Sequence, residues 1–185
     1  MNTRLIISSE TVANAFEFMG TLIVLILAFL MQFIFKELPC PLCLLQRFGF
    51  LMVAYGFLLN FRFGFRPSHY SVVLLGALFT SFVALRQVAL HVIPGTGAYG
   101  SAIFGMHLYT WSFVFSMAIV VGTTLLFGID RQYLVAFRPS RRFRTMTNVF
   151  AVALAVLLIA NMVSVYLECG LKQCPDNPVG YAEKL

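Results

Sequence analysis

The sequence predicts an all-α membrane protein, a four-helix transmembrane bundle plus a fifth transmembrane helix. Three observations carry that expectation. Of 185 residues, 60% are hydrophobic and only 11% charged, with a mean hydropathy of +0.88; soluble domains typically carry about 25% charged residues. The apolar residues fall into five runs, each of roughly 20 residues, the length a helix needs to cross about 30 Å of hydrocarbon. Most basic residues are gathered in the stretches between the runs, as topology signals are. A chain this short leaves no room for a second folded unit, so residues 1–185 read as a single membrane domain.

The first span covers about 13–35, through TLIVLILAFLMQFIF. It has no A-x-A cleavage site and its apolar run is too long for a signal peptide, so it reads as a retained anchor. The second, about 42–60, follows directly on Cys40-Pro41-Leu42-Cys43. The third spans about 70–92 and the fourth about 108–129, separated by a short loop containing Pro94-Gly95-Thr96-Gly97-Ala98-Tyr99-Gly100. The fifth spans about 148–167 and leaves a tail, 168–185.

Orientation follows from Lys and Arg placement. Alternate loops carry Arg4, then Arg62 and Arg66, then Arg131, Arg138, Arg141, Arg142 and Arg144, eight in all, while the opposite stretches carry only Lys36, Lys172 and Lys184. The positive-inside rule places the amino terminus in the cytoplasm and the carboxyl terminus outside, in the periplasm of a bacterial inner membrane. The formal charge of +6 is thereby explained by contact with anionic membrane lipids. Nucleic acid is excluded as a partner, since no recognition module fits between the spans.

All four cysteines then emerge on one face: Cys40 and Cys43 before the second span, Cys169 and Cys174 after the fifth. Two dithiols on one membrane face form a natural relay for electrons or disulfide exchange. Pro41, with a preset φ and no N–H to lose, suits the first position of a helix. Cys40 is then the N-cap, and Cys43 lies in the first turn, where unpaired N–H groups and the helix dipole favour a thiolate. Arg47, four residues on, projects from the same face as Cys43. A guanidinium there can lower a thiol pKa and hydrogen-bond the carbonyl oxygen of an acceptor. A thiolate facing a bilayer meets lipid-soluble acceptors such as quinones, whose reduced oxygen a fixed cation stabilises.

Cys-x-x-Cys-x-x-x-Arg at the outer start of the second helix, with Tyr109-Thr110-Trp111-Ser112-Phe113 opening the fourth, resembles the disulfide bond formation protein B (DsbB) family of bacterial inner membranes. The resemblance runs through about Phe127. It implies a membrane four-helix core, a quinone (ubiquinone or menaquinone) held near Cys43 and Arg47, and oxidation of a periplasmic thioredoxin-like thiol oxidase, a DsbA-like partner. One feature departs from the pattern: best-known members carry their second cysteine pair between helices three and four, whereas the 93–107 loop here has none. The carry-over therefore stops at Cys40, Cys43 and Arg47.

For Cys169 and Cys174 the argument is reach. Five residues span at most about 17 Å of extended chain, Gly170 permits a sharp turn and Pro175 limits helix continuation. A short exposed disulfide is readily attacked by an incoming thiolate. The expected path runs from partner dithiol to Cys169/Cys174, then Cys40/Cys43, then quinone; a structural staple is the alternative. Cys43 is the sulfur expected beside the quinone and Cys40 the one exchanging with the tail. His91 and His107 flank the outer loop, and Arg86 lies within the third span; His91 and Arg86 are further candidates for the quinone pocket, against ordinary structural roles. Glu17 reads as interfacial.

Taken together, these residues predict a membrane thiol:quinone oxidoreductase that reoxidises a periplasmic disulfide donor. Two other classes compete: a reductase resembling vitamin K epoxide reductase, and a non-enzymatic scaffold with structural disulfides. An all-thiolate zinc site has the right ligand number, but an oxidising compartment and the lack of a zinc-ribbon setting weigh against it.

Overall fold

The computed structural model describes residues 9–92, 102–134, 139–172, 174 and 181. Arg4, Arg138, Pro175, Lys184 and the Pro-Gly-rich stretch 93–101 lie outside the described residues. The elements are α1 (Ser9–Phe33), α2 (Pro41–Phe63), α3 (Pro67–His91), β1 (Ala102–Ile103), β2 (Met106–His107), α4 (Leu108–Phe127), α5 (Arg131–Leu134) and α6 (Arg141–Cys169). Among the described residues, α1, α2, α3, α4 and α6 are long and apolar enough to cross a membrane.

Each of the five long helices overlaps a run that hydropathy marks, but most begin a few residues early. α6 starts at Arg141 rather than near residue 148, because Ser140 caps it, accepting a hydrogen bond from the Phe143 N–H at 3.2 Å. Hydropathy cannot see that turn, since its residues are basic; the cap satisfies a helix-start N–H regardless of polarity. The end of the 93–107 segment forms a small antiparallel ribbon, Ala102 opposite His107 and Ile103 opposite Met106. Phe104 and Gly105 turn it with φ of 52° and 77°, the left-handed pair that tight hairpin turns need. The Trp111 indole N–H, donating to the Ile103 carbonyl at 3.0 Å, ties this ribbon to α4.

α2 is the hub. It packs against α1, α3 and α6, while α4 leans chiefly on α3. The α2–α3 contact is close because Gly49, Gly56 and Gly76 lie on it: a Cβ on Gly76 would sit 2.9 Å from the Gly49 carbonyl oxygen, and one on Gly56 2.9 Å from the Val73 nitrogen. Small residues at facing positions let membrane helices approach where no hydrophobic force between them exists. α6 meets the rest along a narrow seam, Thr147, Leu154, Asn161 and Glu168 at steps of seven with Ser164 beside them, all buried. Its other faces show Val149, Val152, Val156, Ile159 and Met162 outward.

α6 runs parallel to α1 and antiparallel to α2. Phe150 meets Phe18 edge-on, Phe143 meets Phe61, and Ser164 meets Gln32. Both cysteine pairs consequently lie at one end of the molecule. The far end carries Arg62, Arg66, Arg131, Arg141, Arg142 and Arg144. A buried polar network fastens that far end. Asn14 Nδ2 donates to the Tyr70 hydroxyl at 2.8 Å, which donates to Gln132 Oε1 at 2.8 Å, and Asn60 Nδ2 donates to Asn14 Oδ1 at 3.2 Å. Glu10 pairs with Arg131, so α5 is held beneath α1 and α3. Glu17 is half-buried within α1 and accepts from the Thr123 hydroxyl at 2.9 Å. It is therefore a link to α4 as well as a polar group near the end of its span.

Candidate redox site

The local structure at Cys40 is set by Pro41. Cys40 has extended backbone (φ −77°, ψ 158°), Pro41 opens α2, and Cys40 Sγ accepts from the Cys43 N–H at 3.1 Å, so the sulfur is the N-cap. Cys40 and Cys43 form a disulfide across this first turn, Cα to Cα 5.0 Å. Cys169 and Cys174 form the second, Cα to Cα 4.4 Å. Gly170 closes the end of α6 with φ 61° and donates its N–H to the Tyr166 carbonyl at 2.7 Å, a left-handed conformation that favours glycine.

A cleft opens beside the first pair, between α1 and α4 and floored by α2. Cys40, Cys43 and Arg47 line it, with Gln32, Glu37, Gln46, Tyr109 and Ser112 as its other polar groups. Val24, Leu25, Met31, Phe50 and Leu108 supply apolar wall. α1 and α4 are joined nearer the far end by Glu17 and Thr123. Their outward faces, with Ile23, Leu27 and Leu30 on α1 and Phe115 on α4, are exposed and apolar.

Arg47 is buried. It donates to the Ala28 carbonyl at 2.8 Å and to Gln32 Oε1, and its guanidinium sits 4.9 Å from the Phe29 ring centre. Gln32 in turn donates to the Ser164 hydroxyl at 3.1 Å and lies 3.4 Å from the Tyr181 hydroxyl. The Cys43–Arg47 spacing thus does place both side chains on one cleft. A helix-borne arginine inside an apolar span is held by neutral acceptors and an aromatic face.

Behind the disulfide lies a pair of glutamines. Gln87, fully buried on α3, directs Nε2 at Cys40 Sγ (3.1 Å) and Cys43 Sγ (3.6 Å), while its Oε1 accepts from Gln46 Nε2 at 2.7 Å. The neighbouring Arg86, one helical step of about 100° away on α3, is exposed and is not among the residues lining the cleft. The helix period turns position 87 inward and 86 outward. A polar residue in an apolar span was the available signal, and charge drew the reading to Arg86 rather than to the amide beside it.

His91 likewise stands outside the cleft lining, its Nδ1 2.8 Å from the Gln87 carbonyl oxygen. Its ring meets that of Tyr109, a cleft residue, at 5.4 Å, and the His107 ring stacks on Tyr109 at 5.3 Å. The sequence sets the two histidines at matching depth but does not reveal the tyrosine whose ring both of them contact.

Exposure differs within each pair. Cys40 is 3% exposed and Cys169 5%, whereas Cys43 and Cys174 are partly exposed. Glu168, next to Cys169, is fully buried.

Residues 10–99 match the family model for disulfide bond formation protein DsbB. Over that stretch the chain is similar to the DsbB family. The match takes in α1, α2 and α3, with Cys40, Cys43, Arg47 and Gln87; it ends before the Tyr109–Phe113 opening of α4 and before α6 with the tail cysteines. No curated protein and no solved structure matches the chain. That similarity, with five helices among the described residues long and apolar enough to cross a membrane, points to the coarse activity of a disulfide-forming oxidoreductase in a multi-pass membrane protein.

Proposed function

We propose that this DsbB-like protein is a thiol:quinone oxidoreductase that reoxidises a periplasmic thioredoxin-like disulfide donor, with α1–α4 as its working bundle and α6 as an added fifth span. The observation that carries this reading is the shared cleft: a closed Cys40–Cys43 disulfide and a buried guanidinium line the same apolar-walled opening between two outward-apolar helices. The residues fit a quinone. Flat apolar wall is supplied by Val24, Leu25, Met31 and Phe50, and Arg47 and Gln32 are the polar groups for a carbonyl oxygen. When bound, a quinone would supply a two-electron, two-proton sink.

The chain's own residues do the rest. Arg47 stabilises negative charge on a cleft thiolate or on a reduced acceptor oxygen. The α2 amino terminus adds its dipole at Cys40 and Cys43. Gln87 holds both sulfurs and gives a leaving thiolate a donor. Cys43, the more open sulfur of its pair, faces the acceptor, and Cys40 exchanges with the tail. Since Cys40 is buried, that exchange requires the 34–40 segment to move. In the tail pair the partly exposed Cys174 is the sulfur a partner thiolate attacks, leaving Cys169 to pass the electrons inward. The disulfides balance throughout: each exchange oxidises one dithiol to a disulfide and reduces the next disulfide to a dithiol.

Purified full-length protein in lipid nanodiscs, given ubiquinone or menaquinone and a reduced thioredoxin-like dithiol oxidase, should consume quinone and dithiol one for one. Cys43→Ala should abolish this. Dithiol loss without quinone loss would refute the reading and favour a scaffold with exchangeable disulfides.

A further inference from the structure

Outside the cleft lining stands a buried carboxyl group, Glu168. Glu168 is 0% exposed and, among the described residues, neither carboxyl oxygen has a hydrogen-bond partner. A carboxylate stripped of water and hydrogen bonds is strongly disfavoured unless a cation offsets it. The cation within electrostatic range is Arg47. Their relation follows from the helix: Ser164 lies one turn before Glu168 on the same buried face of α6, and Ser164 accepts from Gln32, the side chain to which Arg47 donates. One turn nearer the helix centre, Asn161 Nδ2 donates to the Leu44 carbonyl at 3.3 Å, which fixes the height of α6 against α2.

Arg47 has the complementary problem. Its direct acceptors, Gln32 Oε1 and the Ala28 carbonyl, are neutral, and among the described residues its guanidinium makes no direct ion pair. Tyr181 adds a neutral hydroxyl nearby. Two buried opposite charges do not touch: the Arg47–Gln32–Ser164 chain ends one turn from Glu168 on the same face of α6, which leaves the guanidinium free to face the cleft while its charge is balanced from behind.

We propose that Glu168 is a positioning residue of the redox site: the fifth helix supplies the carboxylate that balances Arg47, and thereby sets how strongly the cleft favours the Cys40 and Cys43 thiolates. This rests on the cleft being the redox site. It reaches beyond the matched 10–99 region, since Glu168 belongs to α6. It also gives α6 a role other than carrying the second disulfide.

The test is the dithiol–disulfide equilibrium of each pair in the full-length protein, equilibrated in glutathione buffers without quinone, quenched in acid, alkylated and read by mass. Removing the carboxylate charge leaves Arg47 unbalanced, which stabilises thiolates and so the reduced pair. Glu168→Gln should shift Cys40–Cys43 towards the dithiol about three- to tenfold, tenfold being about 30 mV. Glu168→Asp, which keeps the charge, should stay near wild type. In an Arg47→Ala background the Glu168→Gln shift should vanish. Glu168→Leu, apolar and of similar bulk, replaces the amide variant if that does not fold. No shift in the charge-free variant, an equal shift for Asp, or the same shift without Arg47 would each overturn the proposal. Because no quinone enters the measurement, its failure is distinct from a failure of quinone reduction.

Discussion

Gln87→Leu isolates the hydrogen bond behind the active disulfide. Gln87 Nε2 lies 3.1 Å from Cys40 Sγ. In the oxidised protein that bond ends on a neutral sulfur, but after reduction it can end on a thiolate. Hydrogen bonds to charged groups contribute about 1.5–3 kcal/mol against about 0.5–1.5 kcal/mol for neutral ones, so the donor favours the reduced state by about 1–1.5 kcal/mol. Losing it should move the Cys40–Cys43 equilibrium about tenfold towards the disulfide, lowering the reduction potential by about 30 mV. The sign is opposite to that expected for Glu168→Gln. The same substitution strands Gln46 Nε2, bonded to Gln87 at 2.7 Å, at about 1–3 kcal/mol of stability. Removing both amides, Gln46→Leu with Gln87→Leu, should restore most of that stability while leaving the potential shifted, because no buried donor is then left unmade. Glutathione equilibration reads the first effect and thermal unfolding in detergent the second. A potential that is unchanged or raised in Gln87→Leu would refute the reasoning.

Arg47→Ala should raise the apparent KM for quinone about ten- to a hundredfold, the worth of one lost charge-assisted contact, with both disulfides still formed; steady-state kinetics across a quinone titration checks this. Replacing Cys169 and Cys174 with Ser should stop oxidation of the partner while a small-molecule dithiol is still oxidised at Cys40–Cys43, and unchanged partner turnover would leave the tail disulfide a staple. With the relay intact, a resolving-cysteine variant of the partner should be trapped on Cys174, not Cys169, as read by peptide mapping. Gly76→Val should destabilise the α2–α3 contact by about 1–3 kcal/mol, since the new side chain meets the Gly49 carbonyl and the Val53 nitrogen; the melting temperature reports it. Impermeant-thiol labelling of single-cysteine variants in intact cells should reach both pairs from the periplasmic side.

Much of the site was legible because it is local. Pro41 after Cys40 dictates the helix start, and a four-residue step dictates that Cys43 and Arg47 share a face. Gly170 before a short loop dictates the turn that lets Cys169 meet Cys174. What lay hidden came from other helices. Gln32 and Ser164 are single polar residues in apolar runs, Gln87 stands beside Arg86, and nothing in their own neighbourhoods distinguishes a lipid-facing side chain from a buried one. Arg86 shows the cost of reading charge alone: one step of 100° separates a side chain outside the cleft from one touching the disulfide.

Span number, the end at which each cysteine pair emerges and the cap at α2 all follow from the order of residues, because length, hydropathy and helix start chemistry act within a few turns of chain. The partners of Arg47, the cleft between α1 and α4 and the contact of α6 with α2 follow only once five helices are packed. Each depends on rotation about a helix axis, which apolar spans with weak sidedness leave open until small residues and buried hydrogen bonds lock one helix against the next.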